Sequence, residues 1–351
     1  MTTWLVTGGA GFLGAALVRA LRRQGRVRVV TLDLLTYAGD RARLAGLEQD
    51  PEHLFVQGDV ADRVLVRRLL DEHRPAAVLH LAAETHVDRS IDRPAGFVHA
   101  NACGTLHLLE AVRGWWQGQP AAAREAFRLV LASTDEVYGS LGPAGRFTAA
   151  SPHAPRSPYA ASKAAADHLA QAWHATWGLP TLVSHGSNTY GPWQLPEKFL
   201  PLLLLKALRG ERIPVYGDGA QVREWMHVDD HAAALVRLAE AGVPGEPCLV
   251  GGGEECTNLE VATRLCAALD RAHPQGAPHA RLLEHVPDRP GHDRRYALDA
   301  GSAHALGWRP LRPLAEGLAE LAAWAVRERG WLERMAQRDG VGVRLGLGGR
   351  A

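Results

Sequence analysis

The sequence predicts an α/β fold, in which a Rossmann-type doubly wound parallel sheet carries a smaller, interleaved C-terminal substrate-binding lobe. Three observations predict it. Short apolar runs alternate with helical patterns through the first half of the 351 residues, as strands and helices do in a parallel sheet. A glycine-rich turn joins the first apolar run to its helix. Beyond Asn188 the alternation stops and prolines punctuate short segments.

The glycine-rich turn connects the first strand to the first helix. The apolar run at residues 4–7 leads into Gly8, Gly11 and Gly14, and an amphipathic pattern then extends to about Gly25. Only glycine lets a backbone turn this tightly and approach a pyrophosphate at the N-terminus of a helix. The strand before the turn and the helix after it favour a dinucleotide site over a glycine turn without a ligand.

The second strand, at residues 29–32, closes on Asp33. An acid at a strand end about 20 residues beyond the glycines accepts hydrogen bonds from the adenosine ribose and repels a 2′-phosphate. Asp33 therefore predicts NAD, rather than NADP, as the cofactor.

Two further strands and a polar loop follow. Residues 54–60 and 76–83 are predicted as the third and fourth strands, and small residues at the end of the fourth permit close approach of a cofactor. The loop at residues 84–90 is dense in polar groups. It leaves the sheet at the edge where open α/β sheets bind ligands, so we expect it to contact substrate. A solvated loop is the alternative.

Residues 129–163 carry the groups that suit catalysis. Thr134, Asp135 and Glu136 follow an apolar strand, so they lie beyond its carboxyl end. Tyr159 and Lys163 are four residues apart in a helical pattern, so they share one face of a helix. A hydroxyl, two carboxylates, a phenol and an ammonium suit oxidation at an alcohol carbon combined with acid/base elimination.

Two helical patterns, at about residues 94–116 and 159–177, are apolar on more than one face. Helices of this kind usually pack on a second partner, and we predict a homodimer through both. Burial in the core is the alternative for their four tryptophans, which are Trp115, Trp116, Trp173 and Trp177.

The change of pattern sets the domain boundaries. A strand at residues 182–188 ends the NAD-binding Rossmann domain, predicted at 1–187. The lobe at 188–338 is predicted mainly to bind the substrate, with some segments returning to the first domain, and 339–351 is predicted to be a flexible tail.

Arg223 and Arg289 lie in Gly/Pro loops among polar residues, which suits a bidentate grip on phosphate.

Composition excludes several functions. The formal net charge of +1 shows no basic excess for nucleic acid. No window reaches the roughly 18 apolar residues of a membrane span, and the first residues lack a signal-peptide layout, so we expect a cytoplasmic protein. The four cysteines lack metal-ligand spacing. His227 and His231 lack a third ligand at useful spacing, so no metal site is predicted.

The motifs together resemble a known family up to about residue 330. They are TGGAGFLG, LTYAGD, HLAAETHVDRSID, STDEVYG, SPYAASKAAADHL, SNTYGPWQLPEKFLP, YGDGAQVREWMHVDDH and DRPGHDRRYALD. The chain resembles the extended short-chain dehydrogenase/reductase superfamily and, within it, the dTDP-glucose 4,6-dehydratases. The run from Thr134 to Glu136 separates these dehydratases from the related epimerases, which have no such acid pair there.

The resemblance implies a role for each catalytic residue. Tyr159 takes the C4 hydroxyl proton of a nucleoside diphosphate hexose while NAD takes the C4 hydride. Lys163 lowers the phenol pKa and holds the nicotinamide ribose, and Thr134 hydrogen-bonds the C4 oxygen. Glu136 then removes the C5 proton. Asp135 protonates the departing C6 hydroxyl, so its pKa should be raised by its neighbour and by burial.

The resemblance also implies two sets of binding residues. The cofactor set is Gly8, Gly11, Phe12, Leu13, Gly14, Asp33, Leu34, Thr36, Asp59, Val60, Leu81, Ala82, Ala83, Thr85, Ala100, Tyr159, Lys163 and Thr189. The substrate set is Thr85, His86, Thr134, Asn188, Lys198, Phe199, Pro214, Tyr216, Arg223, Asn258, Asp288, Arg289 and His292. Within the second set, Arg223 most resembles the pyrophosphate clamp.

Four positions depart from the family pattern. Leu34, Ala100, Thr189 and Leu249 stand where the family commonly has Lys, Thr, Asn and a polar residue. None belongs to the implied acid, base or redox pair, but three lie by the implied cofactor and could reduce its affinity. The alternatives are a nucleotide-sugar 4-epimerase or decarboxylase, a 4,6-dehydratase for another nucleoside diphosphate hexose, and a non-catalytic NAD-binding protein.

Overall fold

The computed structural model describes residues 1–288, 291–338 and 341. Its strands are β1 (Thr2–Thr7), β2 (Val27–Asp33), β3 (His53–Gln57), β4 (Ala77–His80), β5 (Arg128–Thr134), β6 (Thr181–Gly186), β7 (Asn188–Tyr190), β8 (Ile213–Tyr216), β9 (Val222–His227), β10 (Pro247–Val250), β11 (Glu254–Thr257) and β12 (Leu283–Val286). Its helices are α1 (Phe12–Gln24), α2 (Arg63–His73), α3 (Val87–Asp92), α4 (Pro94–Phe97), α5 (Gly104–Trp116), α6 (Ala121–Ala126), α7 (Pro158–Trp177), α8 (Phe199–Arg209), α9 (Val228–Ala241), α10 (Asn258–Ala272), α11 (Gly301–Ala305), α12 (Leu314–Arg327) and α13 (Arg329–Ala336).

The large sheet is parallel and doubly wound. In the described part of the chain its seven strands have the order β10-β6-β5-β4-β1-β2-β3. The chain runs outward from β1 to β3 on one side and from β4 onward on the other. The reversal leaves a crevice at the carboxyl ends of β1 and β4, where sheets of this kind bind ligands. The predicted α/β fold is confirmed.

The second half of the chain builds a smaller lobe and also returns to the large sheet. Strands β11, β9 and β7 form one small sheet and β12 pairs with β8. Apolar residues of α8, α10 and α12 share one buried core beside them. Strand β10 pairs with β6, and α9 packs on α1. The two parts of the chain are therefore interleaved.

The strand predicted at residues 182–188 is wrong at its end. Strand β6 stops at Gly186, and Asn188 instead pairs with Trp225 of β9. The backbone N–H of Ser187 still donates to Val250 of β10, at 3.0 Å. The chain therefore changes sheets within two residues, a change that hydrophobic pattern does not reveal.

The third and fourth strands also end earlier than predicted. Strand β3 ends at Gln57, opposite Asp33, and β4 ends at His80, opposite Thr7. Strand β2, the neighbour of β3, ends at Asp33, and β1, one of the two neighbours of β4, ends at Thr7, so strand pairing on those sides stops there. Residues 58–60 and 81–85 consequently form loops beyond the strand ends.

The predicted helix at 94–116 contains a wider π-helical segment. This segment is Val98–Cys103, between α4 and α5. It carries Asn101, whose side chain is buried against α7. Single π-helical turns are frequent at functional sites.

The four tryptophans for which core burial was the alternative to a dimer interface differ in their burial. Trp115 and Trp116 are buried in the core behind the large sheet, and Trp115 lies 5.5 Å from the ring of Phe127, edge-on. The core alternative is therefore correct for these two. Trp173 is half-buried at the edge of that core, and Trp177 is 38% exposed.

Candidate active site

The three glycines of the first turn have different structural roles. A Cβ on Gly8, whose φ is +70°, would lie 2.6 Å from the backbone nitrogen of Ala82. A Cβ on Gly14 would lie 2.1 Å from the carbonyl oxygen of Gly8. A side chain at Gly8 or Gly14 would therefore collide with neighbouring backbone, so the close packing of the turn requires glycine at both. A Cβ on Gly11 would meet only the Gly8 oxygen, at 3.1 Å, so Gly11 leaves the N-terminus of α1 open to a ligand.

The first turn of α1 provides backbone donors for an anion. Gly11 is its N-cap and contributes no side-chain hydrogen bond. Phe12 and Leu13 occupy the turn, and their side chains pack on the core that α1 shares with α9. Free N–H groups at a helix N-terminus attract phosphate.

An elongated cavity of about 600 Å³ opens beside this turn. Eleven of the residues predicted to bind the cofactor line it, namely Gly8, Gly11, Asp33, Leu34, Thr36, Asp59, Val60, Leu81, Ala82, Ala83 and Ala100. Thr189 is not among the lining residues. Its hydroxyl bonds the Ser187 carbonyl, at 3.2 Å, and His231 Nδ1, at 2.7 Å. The cavity suits a dinucleotide lying across the crevice.

Asp33 is fixed by the backbone around it. Its Oδ2 accepts from the N–H of Ala10 and its Oδ1 from the N–H of Leu35, both at 2.8 Å. Each carboxylate oxygen can accept more than one hydrogen bond, so capacity for ribose hydroxyls is left on the cavity side. A 2′-phosphate there would face this negative charge, so the residues present fit NAD.

The phenol and the ammonium of the predicted redox pair lie at the start of α7. Ser157 caps this helix by accepting from the N–H of Ala160, at 3.1 Å. Tyr159 packs edge-on against Phe97, a residue of the cavity wall, with ring centroids 6.4 Å apart. Lys163 is buried and its Nζ donates to the carbonyl of Ala132, at 2.7 Å.

Burial dominates the electrostatics of this pair. Burial raises the pKa of Tyr159 above its ordinary value, and the negative charge of Glu136 raises it further. Hydrogen bonding with Thr134 acts in the opposite direction. The Lys163 ammonium donates to the Ala132 carbonyl, and the expectation that its charge lowers the phenol pKa stays a prediction. Burial lowers the pKa of Lys163 itself.

The two predicted acids follow β5 in a 3-10 turn, Asp135–Tyr138. The Thr134 hydroxyl donates to Asp135 Oδ1, at 3.2 Å, and accepts from the N–H of Glu136, at 3.3 Å. Asp135 is 2% exposed. Burial raises its pKa well above the ordinary value, and Glu136 raises it further. The predicted rise in this pKa is confirmed.

Glu136 opens onto a second cavity, of about 200 Å³. Ser157 and Pro158 from the start of α7 line it, together with Arg156 and Asp293. Glu136 also raises the pKa values of Tyr159 and Asp135, so the three side chains are near enough to interact electrostatically. The tertiary structure therefore brings together the groups that the sequence predicts to act on one sugar.

Several residues predicted to bind the rest of the substrate make contacts within the protein. Lys198 Nζ donates to the carbonyl of Thr85, at 2.6 Å, and His86 bonds the carbonyl of Glu197, at 3.1 Å. The Asn188 side-chain oxygen is buried and has no hydrogen-bond partner among the described residues. Such an oxygen is costly unless a ligand supplies a donor.

Farther out, β8 and the loop after β12 form a polar surface. The Tyr216 hydroxyl donates to Asp88, at 3.4 Å. Asp288 accepts from Gln221, at 2.8 Å, and bonds His292 Nδ1, at 2.6 Å. Pro214 lies in β8, Phe199 begins α8 and Asn258 begins α10. Arg289 lies outside the described residues.

Arg223, the predicted phosphate clamp, is buried beside the acids. Its guanidinium donates to the carbonyls of Val222, at 2.8 Å, and Asp293, at 2.9 Å. It stacks over the ring of Tyr296, 4.4 Å from the centroid. Its positive charge also opposes the rise in the Asp135 pKa. Two of its donors are therefore occupied by the protein.

Known proteins match this chain over nearly its whole length. The dTDP-glucose 4,6-dehydratase of Xanthomonas campestris pv. campestris (strain B100) is 51% identical over 336 residues, which are 95% of this chain and 95% of that protein. The chain belongs to the dTDP-glucose 4,6-dehydratase family. A family model described as GDP-mannose 4,6 dehydratase also matches residues 5–321.

Further members of the dTDP-glucose 4,6-dehydratase family agree. The Neisseria gonorrhoeae enzyme of that name is 50% identical, over 91% of this chain and 94% of its own. The crystal structure of DesIV, the dTDP-glucose 4,6-dehydratase of Streptomyces venezuelae, superposes with a TM-score of 0.87 at 42% identity. The match covers 95% of this chain and 100% of the DesIV chain, and the DesIV crystal structure contains bound NAD.

In this dehydratase-family chain, sequence reasoning missed a network that positions Tyr159. Asn101 Nδ2 donates to Ser162 Oγ, at 2.9 Å, and Ser162 Oγ donates to the carbonyl of Tyr159, at 2.7 Å. Asn101 also exchanges hydrogen bonds with the backbone of Glu84, at 2.8 and 2.9 Å. The asparagine within an apolar helical pattern was a signal in the sequence. The π-helical turn that directs its side chain towards Ser162 could not be predicted from that pattern.

A second cluster that sequence reasoning missed joins the two lobes of this family member. Glu197 accepts from the Tyr37 hydroxyl, at 3.2 Å, and from Arg89 Nε, at 3.0 Å. Arg89 stacks over the Tyr37 ring, 4.0 Å from its centroid. Tyr37, Arg89 and Glu84 line the 600 Å³ cavity. Because Glu197 precedes Lys198, the cluster connects the cofactor cavity to the substrate lobe.

Proposed function

We propose that the chain is an NAD-dependent dTDP-glucose 4,6-dehydratase. It oxidises C4 of the sugar, eliminates water across C5 and C6 and reduces C6, giving dTDP-4-keto-6-deoxyglucose. Family membership supports the reaction. The single observation that carries it is the pairing of the buried Asp135, whose pKa burial raises well above its ordinary value, with the neighbouring Glu136, whose charge also raises the pKa of Tyr159.

The phenol starts the reaction. NAD, when bound, supplies the hydride acceptor for C4 and the hydride donor for C6. The Tyr159 oxygen takes the proton of the C4 hydroxyl while Thr134 holds that oxygen. Within the chain, the Thr134 hydroxyl and the positive N-terminal end of α7 favour the phenolate. Lys163, one helical turn along, supplies a positive charge beside it.

The elimination divides between the two carboxyl groups. The 4-ketone acidifies the C5 proton, and the Glu136 carboxylate removes it. Neutral Asp135 protonates the C6 hydroxyl, which leaves as water. After reduction at C6, Glu136 returns a proton to C5.

The proton balance then requires one internal transfer. Tyr159 holds the proton of the former C4 hydroxyl, and Asp135 has lost one. Thr134 hydrogen-bonds to both groups, so its hydroxyl can pass the proton between them. The site is thereby reset for the next turnover.

A substrate panel tests the function directly. The NAD-loaded protein is incubated with dTDP-glucose and other nucleoside diphosphate glucoses, alkali is added, and the near-ultraviolet absorbance of a 4-keto sugar is measured. We expect the strongest signal with dTDP-glucose. A signal confined to another nucleotide would establish the alternative 4,6-dehydratase, and no signal with any of them would overturn the proposal.

The raised Asp135 pKa predicts a pH dependence of elimination. Because the folded protein holds this proton more tightly than the unfolded chain, the acid works below the raised pKa and is lost as pH rises through it. The same titration removes folding stability on the alkaline side. In single turnovers, the elimination rate should fall at high pH in the wild type. The Asp135→Asn variant should eliminate water slowly, and its elimination rate should not fall at high pH. If the rate of this variant still falls at high pH, another group is the acid.

We propose that the protein is a homodimer through α5 and α7. Ala161, Ala165 and Ala172 are exposed on one face of α7, and Trp177 at its end is 38% exposed. A row of exposed alanines that ends in a partly exposed tryptophan suits packing of α7, and of α5 beside it, against a second copy.

Ala165→Arg should therefore break the dimer, since a long charged side chain cannot be buried there without a partner. Sedimentation equilibrium should show at least about a tenfold weaker association, equivalent to 1.4 kcal/mol. Ala122→Arg, on the exposed face of α6, is the matched control and should leave association unchanged. Equal effects of the two changes would refute this interface.

We also propose a division of labour at residue 187. Residues 1–187 bind NAD, and 188–338 mainly bind the nucleotide sugar while β10 and α9 complete the first domain.

No helix among the described residues is long and apolar enough to cross a membrane. Cys248, Cys256 and Cys266 are buried free thiols, which suits the reducing cytoplasm in which we place the enzyme.

A further inference from the structure

A cluster of metal-ligating side chains lies behind the redox pair. His153 precedes α7, Asp167 lies one turn beyond Lys163 on that helix, and His185 lies in β6. One ligand atom from each lies within 4.8 Å of the others. His185 Nε2 and an oxygen of Asp167 are 3.1 Å apart. Three segments distant in sequence thus converge on one point.

Two atoms of this cluster have no partner. Asp167 is completely buried, and its Oδ1 accepts no hydrogen bond from any described residue. The same holds for His153 Nδ1, which is also buried. A buried carboxylate oxygen without a donor is costly. A bound cation would supply the missing partner.

We propose that His153, Asp167 and His185 bind one divalent transition-metal ion of the zinc class. Two imidazoles and one carboxylate match the ligands that Zn²⁺ takes in proteins, whereas Ca²⁺ and Mg²⁺ take oxygen ligands. At the usual Zn–N distance of about 2.0–2.1 Å, tetrahedral ligand atoms lie about 3.3 Å apart. Since the ligand atoms lie within 4.8 Å of one another, His153, which lies in a loop, needs to approach the other two by at most about 1.5 Å to close the site.

Neighbouring side chains already orient the ligands. The Tyr138 hydroxyl contacts His185 Nδ1, at 3.1 Å, so Nε2 is the nitrogen that faces Asp167. The Ser133 hydroxyl donates to Asp167 Oδ2, at 2.8 Å. Hydrogen bonds of this kind fix the orientation of metal ligands.

An ion can also reach the site from solvent. His153 is half-buried, and its ring lies 4.9 Å from that of His168, which is exposed. His185 and Asp167 form the closed inner end of the path, with side chains 0% exposed.

Occupation would affect catalysis through Lys163. Asp167 is the negative charge that supports the buried ammonium of Lys163. A cation bound to Asp167 opposes that support, so it should inhibit the C4 oxidation. The binding itself is independent of the proposed function, while the inhibition rests on it.

The test uses the full-length, NAD-loaded protein, free of any affinity tag and stripped with a chelator. Zinc chloride is titrated by calorimetry, and crystals grown with zinc are examined by anomalous scattering at the zinc edge. We expect one ion per chain with its peak between the three side chains. His153→Gln and His185→Asn should each weaken binding by at least about tenfold, the lower end of the loss seen for even outer-shell partners. His304→Gln, on α11 and outside the cluster, is the matched control.

Two results would overturn the site: an anomalous peak elsewhere, or zinc affinity equal in wild type and His153→Gln. Thermal melting identifies a variant that has failed to fold, and the wild-type diffraction experiment does not depend on the variants. Zinc should also inhibit turnover of the wild type but not of His153→Gln. Inhibition that persists in the variant would show that the ion does not act through Asp167.

Discussion

Glu136→Gln should oxidise the sugar at C4 but fail to eliminate water. The amide keeps the size of the side chain and cannot take the C5 proton, whereas Tyr159, Lys163 and Thr134 remain. Loss of a general base costs about 10²–10⁴ in rate. Reduced cofactor should therefore accumulate after dTDP-glucose is added, and stopped-flow absorbance at the reduced nicotinamide band measures it.

The control for this variant is Glu110→Gln. Glu110 pairs with Arg63 on the surface, at 3.1 Å, so its loss should change turnover little. Loss of elimination in Glu136→Gln alone identifies the base. Full turnover by Glu136→Gln would show that another group removes the C5 proton.

Tyr159→Phe should lose the first step, so that no reduced cofactor forms. The change removes one oxygen and keeps the ring contact with Phe97. The expected fall in the rate of C4 oxidation is again about 10²–10⁴, or roughly 3–5 kcal/mol of barrier. Single-turnover measurement of cofactor reduction separates this defect from that of Glu136→Gln, in which reduction proceeds.

Tyr190→Phe is the matched control. Its hydroxyl makes a 3.4 Å hydrogen bond to the carbonyl of Leu314, in the core of the smaller lobe, so cofactor reduction should remain near the wild-type rate. Wild-type oxidation by Tyr159→Phe would contradict the role given to the phenol.

The local signals in the sequence were strong where chemistry restricts residue type. The glycine turn, Asp33 and the run from Thr134 to Glu136 each combine a special residue with a strand end. Eleven predicted cofactor residues line one cavity as a result. The rise in the Asp135 pKa was also predictable, because two adjacent acids in an apolar setting cannot both ionise easily.

The missed features all depend on distant partners. Asn101 reaches Ser162 through a π-helical turn, and Glu197 joins Tyr37 to Arg89 across the lobes. The expectation for the Tyr159 pKa counted the nearby Lys163 and not the burial of the phenol, which raises that pKa. Burial is a property of the whole fold.

The sequence by itself determined the doubly wound fold and the choice of NAD over NADP, and it predicted the residues of the redox and elimination steps. These follow from periodicity and from residue types at fixed short spacings, which act through local geometry. Only the tertiary structure decided where strands end, which tryptophans are buried, how the phenol titrates and that His153, Asp167 and His185 meet. Those properties depend on contacts between segments far apart in the chain, and spacing along one segment carries no information about them.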